Sequence, residues 1–399
     1  MKLLKKTNLC IVSIFVLFLF SSCEQENLIE NDPVIEGDES IETFDSTISA
    51  KTYGNGTAAY SAPSIPGTPK LYSTKYYPTS TDAKGIQAAI DAASAAGGGT
   101  VSLSATTYNI GKTITLKSKV SIIGAGIGST ILKRHSNFSG YAFGTGSGHI
   151  AMLESQDASL NNVVIRKMTI DGNWSDSYLL NNQPALGGIA IGATAGNYNS
   201  FIRIREVEIK SFGAMALSMS GTTSIRLEAL SLHNSGAHSL WHNLYFRRCG
   251  KIYMSGCTVY NSLAGNGLKF SGGTFANHVD ESKNITIRNT NVYDNAKNNC
   301  VIRGFENVRV YGCKFEGQET VSNSYHAGLL LAIENGYGCK YADVINNEML
   351  DNANYGFRLE DSSDINIEGN VSTGNGKSHQ YSVYNNGNSN WSCDFNKTY

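Results

Sequence analysis

The chain has 399 residues, of which 41% are hydrophobic and only 16% charged, with 41 glycines against 6 prolines. A low charged fraction with abundant glycine describes a chain of short elements and many turns that can bury a long core. The formal net charge of -1 gives no reason to expect nucleic acid or an anionic membrane surface as a partner, so any basic character must be local.

In chain order, Lys2, Lys5 and Lys6 precede an apolar run from Leu9 to Phe20. That run is too short for a permanent span and reads as a secretory signal over residues 1–22. Small residues Ser21 and Ser22 stand just before Cys23, a segment that resembles the lipobox of bacterial lipoproteins. The resemblance implies lipidation of Cys23 and an outer-membrane lipoprotein. The acidic Glu24-Gln25-Glu26 that follows resembles the surface-export tail of the Bacteroides group and implies display at the cell surface, with a periplasm-facing position left open. Residues 23–70 are acidic, then rich in Ser, Thr, Gly and Pro without sustained period, and are expected to form a flexible tether. The membrane is thus expected to be a partner only through a lipid anchor.

The folded body is expected over residues 71–399 and opens with one helix. Thr81 or Asp82 can cap it, Ile86, Ala89, Ile90 and Ala93 give its apolar stripe, and Gly97-Gly98-Gly99 ends it. The stretch from Asp82 to Asp91, then Gly99-Thr100-Val101, Thr107-Tyr108-Asn109-Ile110 and Ser121-Ile122-Ile123-Gly124-Ala125-Gly126, resembles the opening of the pectate lyase superfamily. That resemblance implies an all-β right-handed parallel β-helix with an N-terminal capping α-helix. Members of the superfamily include polysaccharide lyases, polygalacturonase-type hydrolases, uronate epimerases and phage tailspikes, so reaction does not follow from fold.

Beyond the opening, apolar alternations start at Ile202, Ile225, Ile252, Ile285, Val308, Val344 and Ile365, separated by 23, 27, 33, 23, 36 and 21 residues. Several starts follow Asn or Asp (Asn284, Asn307, Asp343, Asp364), which tolerate the left-handed backbone of a sharp bend. A second short strand precedes each bend, as at Leu244-Tyr245-Phe246 and Leu268-Lys269-Phe270. Units of two or three strands cannot bury their own apolar face, so they must stack as a solenoid. Shortly after each start stand Cys257, Thr290, Cys313, Asn347 and Asn370, small or amide residues suited to an interior ladder. Neither these cysteines nor Cys249, Cys300, Cys339 and Cys393 have zinc-site spacing, and they read as buried small hydrophobes.

Aligning coils on their bends places Ser218, Tyr245, Lys269, Val301, Leu330 and Arg358 in one outward file. Ser220, Arg247, Ser271, Arg303 and Glu360 fall in the next. Stacked coils lie about 4.8 Å apart, close to one sugar residue, so neighbouring members can address successive units of a glycan. A cation that neutralises a uronate carboxylate makes the adjacent proton removable; Arg247 or Arg303 can do this, Lys269 can take the proton, and Tyr245 can protonate the leaving oxygen. A Lys base with a nearby Arg is similar to the arrangement in β-helical alginate and chondroitin lyases. His238, Trp241 and His242 fall in an enlarged loop before the Tyr245 strand, where the ring of Trp241 can stack on sugar and one histidine can serve as an alternative base. Arg358 is a further candidate for substrate contact, with a surface ion pair to Glu360 as the competing reading.

The hydrolase branch of that superfamily carries Asn-Thr-Asp, Asp-Asp and Gly-His-Gly segments. This chain offers Asn289-Thr290-Asn291 at the nearest match and lacks the others, as it lacks the Asp-Pro-His of alginate epimerases and the Trp-Ile-Asp-His of calcium-dependent pectate lyases. The expected function is β-elimination of an anionic, uronate-containing polysaccharide by a monomer. A polygalacturonase-like hydrolase drawing on Asp280, Asp294 or Asp351 and a non-catalytic glycan-binding protein are the alternatives. No cofactor is expected; calcium stays open without a segment that indicates it.

Overall fold

The computed structural model describes residues 65–139, 150–155, 159–174, 186–193, 198–272, 282–319, 325–376, 383–386 and 389–397. Residues 1–64 lie outside these, and with them the signal segment, Cys23 and most of the expected tether. Among the described residues no helix is long and apolar enough to cross a membrane.

The chain winds as a right-handed parallel β-helix. A ten-stranded sheet, here the first sheet, stacks one strand per coil from Ile114–Leu116 through Leu217–Ser220, Leu244–Arg247, Leu268–Ser271, Cys300–Arg303, Ala327–Ala332 and Tyr355–Glu360 to Val383–Asn386. Each coil then adds a strand to a second stack, such as Lys283–Arg288, and a third, such as Asn291–Tyr293. Ladder pairs run parallel throughout.

Period-two alternation produces the core. Along the second stack Ile202, Ile225, Ile252, Ile285, Val308, Ala342 and Ile365 sit directly over one another, each at most 1% exposed. Inside the first sheet, Phe246 stacks on Phe270 edge to face at 5.6 Å. Each buried Ile or Phe contributes roughly 1.5–3 kcal/mol, and a polar replacement in such a column would leave an unpaired group between two apolar neighbours.

The register corrects one coil start. The bend between Val308 and Ile365 falls at Tyr341, with φ 53°, so the coil starts at Ala342 rather than Val344. Asp343 is therefore an outward strand residue, 1% exposed, accepting a hydrogen bond from Asn366 Nδ2 at 3.1 Å. With that shift Cys257, Thr290, Cys313, Asn347 and Asn370 all stand five residues after their coil starts. They form an interior ladder in which Cys313 and Asn347 donate backbone amides to Asn347 Oδ1 (2.9 Å) and Asn370 Oδ1 (2.8 Å).

The helix spans Ala83–Ala95, capped by Asp82, whose side chain accepts from the Gly85 amide at 2.9 Å. Its Ile86, Ala89, Ile90 and Ala93 face is buried over the first coils, covering an end of the core that strands alone would leave open. Gly97 and Gly98, at φ 86° and 137°, turn the chain into the first coil strand. The expected boundary at residue 70 also moves. Pro66 and Pro69 are buried, the Pro66 carbonyl accepts from Arg226 Nη1 at 3.4 Å, and the Lys70 amide donates to Asn162 Oδ1 at 2.6 Å. Residues 66–70 are thus part of the body, running across successive coils.

Candidate functional site

The first sheet presents its outward positions in register. Tyr245 pairs with Lys269, Lys269 with Val301, Val301 with Leu330 and Leu330 with Arg358; beside them run Arg247, Ser271, Arg303 and Ala332. Strand geometry alone therefore brings Tyr245, Arg247, Lys269 and Arg303 within three coils.

Lys269 Nζ lies 5.5 Å from the centroid of the Tyr245 ring. Burial pushes the Lys269 ammonium below the ordinary lysine range; Arg303 and then Lys297 push the same way, while Glu334 opposes. Arg247 is not among these influences; the second cation is Lys297, from the loop before Cys300–Arg303. Burial raises the Tyr245 phenol, so it stays protonated at neutral pH, with Arg247 pulling slightly the other way. The Ser271 hydroxyl faces that phenol without a well-formed hydrogen bond.

Arg303 is only half satisfied. Its Nε is buried and makes no hydrogen bond, and its Nη1 stands 4.0 Å from Glu334 Oε2. Ser271 Oγ, its register neighbour, is likewise buried with no hydrogen bond. A buried guanidinium nitrogen beside a hydroxyl whose hydrogen bond is poorly formed is a place where an added partner is favourable.

The histidines separate. His242 is 2% exposed, with Nδ1 accepting from the Asn266 amide at 3.0 Å, so its neutral form carries the proton on Nε2. Burial, then Lys269 and Lys297, hold it well below the usual histidine range. It packs edge-on against Tyr245, with centroids 5.6 Å apart. With Nδ1 engaged and Nε2 protonated it is a donor rather than the alternative base expected for one of the loop histidines. His238 is exposed and lies 5.2 Å from the half-buried Trp241 ring, farther out on the same loop.

Arg358 lies apart. Val301 and Leu330, with Ala327 and Ala332, form a small buried apolar cluster between it and Lys269. Its side chain is 4% exposed, paired with Glu360 and set over Tyr325 (4.7 Å) and Tyr355 (5.6 Å). The ion pair with Glu360 is real but buried, not the surface pair expected, and the cationic file is interrupted rather than continuous.

Sequence reasoning missed Lys297, His326 and Glu334, all contributed by loops flanking first-sheet strands. Lys297 Nζ donates to the Ser239 carbonyl at 2.8 Å, tying two loops together. Burial, Lys297 and Arg358 take His326 down to about 4. Among the described residues no three His, Cys, Asp or Glu side chains gather as a metal site.

Among the described residues, Asp294 and Asp351 stand on the third stack and not on the face that carries Lys269 and Arg303. Asp294 and Asp351 are left-handed corner residues at the end of the third stack, two coils apart with Gly317 between them. Asp280 lies outside the described residues.

Residues 79–306 match the family described as rhamnogalacturonase A/epimerase, pectate lyase-like, and residues 216–398 match the right-handed β-helix region. The first match covers more than half of the chain, which belongs to that pectate lyase-like family. Mannuronan C5-epimerase AlgE1 of Azotobacter vinelandii is 38% identical over 101 residues, 24% of this chain and 7% of that protein. AlgE2 of the same organism is 51% identical over 61 residues, 14% of this chain and 6% of that one. The chain thus spans a small fraction of the length of these relatives. Among solved structures, the family 28 exopolygalacturonase of Yersinia enterocolitica shares the fold at a TM-score of 0.53 and 11% identity, covering 79% of this chain and 76% of its own. The surface adhesin PfbA of Streptococcus pneumoniae does so at 0.50 and 13%, covering 77% and 86%.

Proposed function

We propose that the chain binds a uronate-containing polysaccharide along the outer face of the first sheet and cleaves it by β-elimination. The observation that carries this reading is the unmet pairing of Arg303 and Ser271 beside a lysine whose proton is already loosened. The Arg303 guanidinium receives the substrate carboxylate, drawing charge from the adjacent carbon as its proton leaves. Lys269, when neutral, takes that proton; the C–H electrons form the new carbon–carbon double bond as the glycosidic C–O bond breaks. Tyr245 protonates the departing oxygen, and its phenolate regains a proton from the Lys269 ammonium, which closes the cycle without a cofactor.

A second reading shares the first step. The segment identity with mannuronan C5-epimerases supports removal of the same proton followed by delivery of a solvent-derived proton to the opposite face, with no bond to the leaving sugar broken. Incubation with a panel of uronate polymers separates the two. Ultraviolet absorbance of an unsaturated uronate marks elimination, whereas solvent deuterium in intact polymer marks epimerisation. Reducing ends without absorbance would mean hydrolysis, and binding without any product would leave a glycan-binding protein.

The address belongs to the same proposal. Lys2, Lys5, Lys6, the apolar run from Leu9 to Phe20 and Cys23 support a lipoprotein of the outer membrane, and Glu24-Gln25-Glu26 supports its exposure at the cell surface; the chain is proposed to act as a monomer. Metabolic labelling with a fatty acid, lost in Cys23→Ala, tests the anchor. Elution at the mass of one chain tests the monomer.

A further inference from the structure

The turn that follows Ala327–Ala332 reaches back to the site. Glu334 and Tyr337 pair antiparallel across Asn335-Gly336, each donating its amide to the other's carbonyl, at 2.8 and 3.0 Å. Asn335 at φ 51° and Gly336 at φ 85° are both left-handed, the type I′ geometry that Asn-Gly favours. The backbone therefore fixes where the Glu334 side chain starts. Its side chain is 28% exposed, and its carboxylate stands 4.0 Å from Arg303 Nη1, near enough to attract and too far to hydrogen-bond. Glu334 thus balances the charge of Arg303 without using its donors.

We propose that Glu334 is a resident competitor for the substrate's carboxylate: it holds the charge of Arg303 in the free protein and yields only to a ligand whose own carboxylate closes the two hydrogen bonds that Glu334 leaves unmade. This deepens the uronate reading and rests on it. Neutral sugars and methyl-esterified uronates bring no carboxylate to compete with it, so the competition falls on free uronates alone: Arg303 sets the preference for them and Glu334 tempers it. The groups that face Lys269 are Arg303, Lys297, Tyr245, His242 and Glu334; Arg303 and Lys297 ease its proton off, and Glu334 holds it on.

The test uses the full chain and its Glu334→Gln variant, with galacturonate and mannuronate oligomers and their methyl esters as probes in calorimetry. The Lys269 titration is followed by NMR of dimethylated lysines. In Glu334→Gln the free uronates are expected to bind roughly two- to five-fold tighter, the range of a partly exposed ion pair, with the esters unchanged and Lys269 titrating lower. A structural role for Glu334 would weaken all ligands alike and leave the lysine titration in place. Uronate binding that the substitution does not strengthen, no uronate binding to either protein, or an unmoved Lys269 titration overturns the inference. Tighter binding in the variant without turnover of any polymer supports it while sinking the elimination reading.

Discussion

Lys269 and Tyr245 are register partners on adjacent coils, and the lysine nitrogen stands 5.5 Å from the centroid of the phenol ring. Burial acts on the two in opposite senses, making the lysine easier to deprotonate and the phenol harder, which leaves a lysine that can be neutral beside a phenol that still holds its proton. Lys269→Ala is expected to lower kcat about 10²–10⁴-fold, as loss of a positioned base does, with uronate binding retained. Lys269→Arg, which cannot deprotonate, is expected to be as inactive. Tyr245→Phe should slow elimination of poor leaving groups more than activated ones. Initial rates of unsaturated uronate formation check all three, and full activity in Lys269→Arg would remove the lysine from the mechanism.

Acid should unfold this protein through His242 and His326. Both are held below the ordinary histidine value of 6.5, His326 to about 4, by burial first and by neighbouring cations second. The unfolded chain therefore binds protons below pH 6.5 that the folded chain refuses, and stability falls as pH drops through that window toward the folded value. Each such histidine contributes a slope of up to about 1.4 kcal/mol per pH unit. Thermal melts between pH 7 and pH 4 are expected to show a falling Tm, and His326→Gln should flatten that fall. A variant whose melts track the wild type across the window would show that folding does not hinder protonation of His326.

Asn352 is the hub of a second interior ladder. Its Oδ1 accepts from Asn299 Nδ2 at 2.9 Å and from the Gln318 amide at 3.3 Å, and its Nδ2 donates to the Phe315 carbonyl at 3.0 Å and to Asn375 Oδ1 at 2.8 Å. At 1% exposure no water replaces these bonds. Asn352→Ala should cost about 3 kcal/mol, since each buried partner left unpaired costs about 1–3 kcal/mol. Denaturant unfolding is expected to show a lower midpoint at unchanged m-value. An unmoved midpoint would mean the ladder is not a source of stability.

The winding was legible because interior residues alternate with period two and recur coil after coil, which is how Tyr245, Arg247, Lys269 and Arg303 were read into one patch. The bends were only partly legible. The corner column Lys119, Asn162, Phe201, Ser224, Lys251, Asn284, Asn307, Tyr341 and Asp364 is left-handed at every member, yet only four are Asn or Asp. Stacking forces the conformation on Phe201, Lys251 and Tyr341 against their own preference, so residue type misplaced the Tyr341 bend by two positions. Lys297, His326 and Glu334 escaped because they lie in loops of unequal length, where no period assigns a register. Only the Asn335-Gly336 pair offered a local signal for the turn that carries Glu334. The Arg358–Glu360 ion pair was legible but its burial was not, because a strand position shows direction and not what lies over it, here Tyr325 and Tyr355.

The interior thiols should be chemically silent. Burial pushes Cys257 and Cys313 up to about 12 and Cys339 to about 11, and raises Cys300 as well. At pH 8 a thiol with a pKa of about 12 is ionised only about once in 10⁴ molecules, and the thiolate is the reactive form. Cys257 and Cys313 occupy the same ladder with Thr290 between them, roughly 9.6 Å apart at two coil spacings, beyond the Cα separation a disulfide can bridge. A thiol reagent is therefore expected to label none of Cys257, Cys300, Cys313 and Cys339 in the native protein and all of them in denaturant, without prior reduction. Mass mapping of labelled peptides checks this. Fast native labelling at Cys257 or Cys313 would mean that the coils part locally at a rate the closed ladder forbids.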